Sequence, residues 1–162
     1  MRTLLFIFFI SLVATSCRKV KLVSGEKWLP TATEKGRGIF ACYMGSKTYT
    51  ARKEQSIVYN AKIGYLFLEN SNLDFEFRLF VYEGLFSEGQ YAFENTGEEW
   101  VTESYGQRFG IKEGGMNVLE ITKLDLDERI VAGTFNIDLV DENGKEKLIR
   151  DGRFDLKMFI IY

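Results

Sequence analysis

The chain has 162 residues, no His, one Pro, two Cys and a formal net charge of −2. That size fits one domain with a single core, and the near-neutral balance lacks the clustered positive charge that neutralises nucleic-acid phosphates. Without His there is no Ser-His-Asp or Cys-His dyad, no His-ligated zinc and no imidazole proton shuttle near pH 7.

The N-terminus reads MRTLLFIFFISLVATSC, with Arg2 as a positive start, an apolar run from Leu4 to Ile10 and the small residues Ala14, Thr15 and Ser16 before Cys17. The run is too short to span a hydrocarbon core of ~30 Å, which takes about 20 residues, and reads instead as a cleaved export signal. Small residues directly before a Cys resemble a bacterial lipobox, although Ala14 stands where Leu is usual. The resemblance implies that residues 1–16 are a lipoprotein leader and that Cys17 carries a diacylglyceryl thioether and an acylated (palmitate-type) amino terminus. Multiple acyl chains hold a protein durably on a membrane. Arg18, Lys19 and Lys21 follow where surface-exported Bacteroidetes lipoproteins tend to be acidic, which favours the periplasmic side of the outer membrane.

With Cys17 consumed, Cys42 has no partner for a disulfide, and in the alternating run Ile39-Phe40-Ala41-Cys42-Tyr43 it reads as a small buried hydrophobe. Residues 17–36, including the only proline, Pro30, read as the lipidated Cys and a tether that becomes ordered near Trp28-Leu29-Pro30. Residues 37–162 read as one β domain.

Beyond the tether the recurring pattern is alternation with period two. Phe75, Phe77, Leu79 and Val81 share one face against Asp74, Glu76 and Arg78; Val131 to Leu139 and Phe154 to Ile160 repeat the pattern. Half-buried antiparallel strands alternate in this way. Strands are expected near 38–44, 47–51, 55–60, 63–70, 74–83, 90–94, 98–103, 116–124, 129–140 and 145–161, the last with a bend or bulge at Gly152. Gly45-Ser46 suits a type II′ hairpin turn, and Asp141-Glu142-Asn143-Gly144 a second turn. About ten strands without crossover helices imply an all-β antiparallel meander, either sandwich or barrel. Phe80, Tyr82, Phe159 and Ile161 are apolar on the nominally outer face and require a cover, from the tether or a loop.

The stretch 103–115 has no strand assignment and holds two aromatics, one Arg and several glycines: it reads first as a hairpin whose aromatics pack on the core and, as the functional alternative, as a binding loop in which Tyr105, Arg108 and Phe109 contact a ligand or partner. Paired carboxylates are the only acid/base chemistry available. Glu98 and Glu99, adjacent on a strand, point to opposite faces, while Asp125, Asp127, Asp141 and Glu142 fall at turns. Asp125-Leu126-Asp127 lacks the further ligands of a calcium loop. No catalytic residue, metal site or cofactor is expected.

Two segments carry a wider resemblance. Leu29-Pro30-Thr31-Ala32-Thr33-Glu34-Lys35-Gly36 through Phe40-Ala41-Cys42 to Lys47 is the first. Gly133-Thr134-Phe135 through Asp141-Glu142-Asn143-Gly144 to Asp151-Gly152-Arg153-Phe154-Asp155 is the second. With the lipobox they resemble a family of small, uncharacterised Bacteroidetes lipoproteins, in which Asn-Gly usually stands at Gly45-Ser46. The resemblance implies location and architecture and carries no activity. Arg153, flanked by Asp151 and Asp155, is expected to form an ion pair supporting a bend at Gly152. The functional expectation is a membrane-anchored, non-enzymatic β domain that binds an envelope protein or glycan; the alternative is a small barrel carrying a hydrophobic ligand.

Overall fold

A computed structural model describes residues 28–51, 55–72, 75–82, 84, 86–95, 97, 100–103 and 106–162. The described chain is all-β, with twelve strands. They are β1 (Ile39–Met44), β2 (Lys47–Ala51), β3 (Gln55–Asn60), β4 (Tyr65–Asn72), β5 (Phe75–Tyr82) and β6 (Gly89–Ala92). There follow β7 (Trp100–Glu103), β8 (Gln107–Ile111), β9 (Val118–Asp125), β10 (Ile130–Val140), β11 (Glu146–Lys157) and β12 (Phe159–Ile161).

The strands form one open strip in the order β12-β3-β4-β5-β7-β8-β10-β11-β1-β2, with β9 and then β6 branching from β10. The fork lies along β10: residues 130–136 pair with β9, whereas Leu139 and Val140 pair with Ile111 and Gly110 of β8. Right-handed twist curls a strip of this width, and here it folds over on itself. Phe40 on β1, Phe77 on β5 and Phe135 on β10 are not strand neighbours, yet their ring centroids lie 5.2–5.3 Å apart in every pairing. Tyr49 on β2 likewise stacks on Phe75 at 4.5 Å. The inward parity of each strand supplies this core, so Phe75, Phe77, Leu79 and Val81 are all buried as the alternation requires.

Two features of the expected meander are corrected, whereas the stretch 103–115 takes the hairpin form expected of it, with residues 107–111 as β8 paired to β7. Phe109 and Ile111 point in while Arg108 and Gly110 point out, a five-residue alternation too short and glycine-rich to stand out. The final strand is broken at Met158, not only bent: Met158 alone separates β11 from β12, and its N–H donates to the Arg129 carbonyl at 2.8 Å. After that break β12 runs parallel to β3 at the far edge of the strip, so the sheet is mixed and its order is not sequential.

The irregularity expected at Gly152 is present. Both neighbours of β11 skip register there: Ala41 stands opposite Arg153 but Tyr43 opposite Arg150, and Phe135 opposite Gly152 but Ile137 opposite Ile149. One extra residue on β11 is a β-bulge, with Asp151 at φ 51°. Glycine is required next to it because a Cβ on Gly152 would lie 2.5 Å from the Phe135 ring. The Gly45-Ser46 turn has positive φ at Gly45 (59°) and not at Ser46, the type II′ pattern.

Candidate functional site: the outer face of the strip

The outer face of β12, β3, β4 and β5 carries two cross-strand rows. Phe159, Val58, Phe67 and Phe80 stand opposite one another in succession, and one step along are Ile161, Asn60, Tyr65 and Tyr82. Phe67 stacks on Phe80 at 4.4 Å with 22° between the rings, close to the ≈ 4.8 Å spacing of neighbouring strands. Rings stacked at strand spacing stand upright on the sheet and offer their edges outward. Tyr82 is 51% exposed, Ile161 47% and Phe159 66%. The turn after β3 adds Ile63, 62% exposed. Phe80 is half-buried between Phe67 and Tyr82. Tether residues 17–27 and residues 83 and 85, from which a cover for Phe80, Tyr82, Phe159 and Ile161 is expected, lie outside the described residues.

Toward β7 and β8 the same face carries charged side chains, Arg78 and Arg108 with Glu69 and Glu76. Arg78 stands opposite Glu69 on β4 and Trp100 on β7, bonds Glu69 at 2.8 Å, and places its guanidinium 5.0 Å from the Trp100 ring. Arg108 approaches the same ring at 5.3 Å from β8. Trp100 is thus flanked by two guanidinium groups, each worth ~0.5–1 kcal/mol as a cation–π contact at an exposed site. Beside Arg108 a groove of about 430 Å³ opens between β8 and the β10–β11 turn, lined by Gly106, Gln107, Gly110, Asp141, Glu142 and Asn143 among others.

Of the three candidates in 103–115, Arg108 is exposed on this face. Phe109 is fully buried beneath the Lys147 ammonium, 4.9 Å from its ring, and belongs to the core. Tyr105 lies outside the described residues, as do Cys17, Glu98 and Glu99. Glu103, inward on β7, accepts from the Tyr49 hydroxyl at 2.9 Å and is paired with Lys147. Burial pushes its carboxyl up, but those two bonds and the Lys charges outweigh it and hold the group below its ordinary value, ionised and occupied.

The acidic turns are turns. Asp141 accepts from the backbone N–H of Asn143 at 2.9 Å and Lys145 at 2.8 Å, and from Gln107 Nε2 at 3.0 Å. Asp125 accepts from Glu128 N–H at 2.8 Å and pairs with Lys123. Cys42 is a free, fully buried thiol that burial pushes up to about 12, so it carries no thiolate chemistry.

The Arg153 ion pair is a further correction. Arg153 Nε donates to the Asp151 carbonyl oxygen at 3.3 Å and its Nη1 to the Pro30 carbonyl at 2.9 Å; among the described residues it has no carboxylate partner. Asp155, outward on β11, is 1% exposed because residues 33–37 lie over it. Its carboxylate accepts from the Thr33 hydroxyl, from Gly36 N–H at 2.5 Å and from Arg37 N–H at 3.2 Å. The two segments that carry the family resemblance therefore bind one another, and the folded domain reaches back to Pro30. Sequence reading picked out the row ends Phe80, Tyr82, Phe159 and Ile161 but missed the buried Asp155 and the pairing of these residues into rows with Val58, Phe67, Asn60 and Tyr65. The available signal was apolar residues at both parities in 65–68, 77–82 and 158–161, which marks a strand covered or contacted on its second face.

Comparison with protein-family models, curated proteins and solved structures returned no match.

Proposed function

We propose that the protein is an envelope lipoprotein, anchored through Cys17 on the periplasmic side of an outer membrane, whose non-enzymatic β domain binds a protein or glycan. The observation that carries the binding role is Trp100 flanked by Arg78 and Arg108, of which Arg108 lines the groove beside β8. Trp and Arg supply large contact area and forked donors for carboxylate, amide or hydroxyl acceptors, the chemistry of interface hot spots. The carrier alternative wants an empty interior, and the space between the layers is occupied by the Phe40, Phe77 and Phe135 rings.

Native mass spectrometry of protein released gently from its own membrane tests both parts. Wild type should carry acyl mass on Cys17 and a co-purifying protein or glycan, and Arg108→Ala should keep the first and lose the second. Absent acyl mass overturns the anchor, and a component retained by Arg108→Ala overturns the site.

A further inference from the structure

The apolar corner of the outer face lies apart from Trp100 and calls for a different occupant. Phe159 and Ile161 on β12, Ile63 in the turn after β3, and Tyr82 at the end of β5 are four large side chains, each at least 47% exposed. They are fixed to one another through the sheet: the Ala61 N–H donates to the Ile161 carbonyl at 2.9 Å, and the Gly84 N–H to the Gly64 carbonyl at 3.2 Å. Lys62 lies between Ala61 and Ile63 in that turn. Ile161 and Tyr82 close the two ends of one row, with Asn60 and Tyr65 between them, so the exposed side chains extend across four strands. An exposed apolar patch marks an interaction surface, and aromatic and apolar side chains beside a Lys suit the headgroup boundary of a bilayer.

Two further observations favour lipid over a pyranose surface or a soluble partner. The rings behind the corner present edges, as the Phe67–Phe80 stack shows, whereas a pyranose wants an exposed ring face. The tether also enters close by. Pro30 is held by the side chain of Arg153, whose backbone lies within about 20 Å of Phe159, six residues on at ~3.3 Å per residue. Residues 17–27 can span at most ~36 Å on the same rule. A domain on so short a lead never leaves the reach of its bilayer, and a weak contact becomes intramolecular. Trp28, 65% exposed at the root of the lead, adds an interfacial side chain.

We infer that the corner formed by Phe159, Ile161, Ile63 and Tyr82 docks into the headgroup boundary of the membrane that holds the lipid anchor, fixing the domain's orientation on it. The inference rests on the Cys17 anchor. Because Cys42 is buried, a single introduced Cys on the lipidated full-length protein can be spin-labelled selectively. Ile161→Cys and Ile63→Cys report the corner, and Leu148→Cys, exposed on the opposite part of the strip in β11, is the control. In vesicles of phosphatidylethanolamine and phosphatidylglycerol, labels at 161 and 63 should collide several-fold less with a water-soluble nickel complex, and more with oxygen, than the label at 148. Equal aqueous access at all three sites on protein of confirmed acyl mass overturns the docking and leaves the anchor standing. Shielding that persists without lipid and brings spin–spin broadening overturns it in favour of a second copy of the chain. A missing acyl mass overturns the anchor, and the inference with it.

Discussion

Asp155 and Phe159 sit four residues apart, both outward on consecutive strands, and their fates are opposite. The carboxylate is buried under residues 33–37, while the phenyl ring is two-thirds exposed. Parity along a strand decides which side chains face outward, but not what lies over them. Over β11 the chain covers its own sheet, using backbone N–H groups that the Asp155 carboxylate satisfies. Over β12 the side chains of Phe159 and Ile161 stay 66% and 47% exposed among the described residues.

The largest expected effect comes from removing the polar cover. Asp155→Ala would strand the Thr33 hydroxyl and the N–H groups of Gly36 and Arg37, and should cost roughly 2–4 kcal/mol in denaturant unfolding. Limited proteolysis should then cut after Lys35 or Arg37, sites resistant in wild type. The pH dependence has a definite sign. Burial pushes the Asp155 carboxyl up, but the Thr33, Arg37 and Gly36 bonds outweigh it and hold it below its ordinary value of 3.8. A depressed folded value stabilises fully above the unfolded one and loses that contribution as pH falls below 3.8 toward the folded value. Wild type should therefore lose stability faster than Asp155→Asn on acidification through that window. Equal slopes would show that the carboxylate is not held as described.

The bulge that allows this arrangement should be nearly as sensitive. Gly152→Ala puts a methyl group 2.5 Å from the buried Phe135 ring and should cost about 1–3 kcal/mol through overpacking. A thermal midpoint within error of wild type would mean that the ring shifts freely. Here the sequence was informative, since Gly152 lies inside a strand pattern and a glycine inside a strand signals a bulge or a close approach. The alternation likewise made most strands and the inward core legible. What it left out depends on distant pairing: β8 is stabilised by β7 and β10 on either side, and β12 by parallel pairing with β3, a partner about a hundred residues earlier. Of the site, Arg108 was legible as an exposed cation beside aromatics. Trp100 was not, because its role comes from Arg78 directly across the sheet.

A smaller effect, of opposite sign, is expected inside the core. Asn70 on β4 faces inward at 0% exposure, and neither its Oδ1 nor its Nδ2 has a hydrogen-bond partner among the described residues. Replacing an unsatisfied buried amide by an apolar group of similar shape removes a desolvation cost of about 1–3 kcal/mol. Asn70→Leu should thus raise the denaturant midpoint at unchanged slope; a lower midpoint would show that the amide has found a partner and is a second polar position fixed like Asp155.

The smallest effect on stability is the sharpest test of the contrast. Phe159→Ser removes a large aromatic side chain, which in a core costs about 3–5 kcal/mol. At 66% exposure, with no described residue over it, the ring has little burial to lose, and the change should stay within ~0.5 kcal/mol, a thermal shift of about 2 °C or less. Phe80→Ser, at the other end of the same row but half-buried against Phe67 and Tyr82, should cost clearly more, because its ring loses stacking against both. If Phe159→Ser instead destabilises the isolated domain as much as Phe80→Ser does, then Phe159 is covered within the molecule. The two outer faces would then be alike, and β12 would need no partner beyond its own chain.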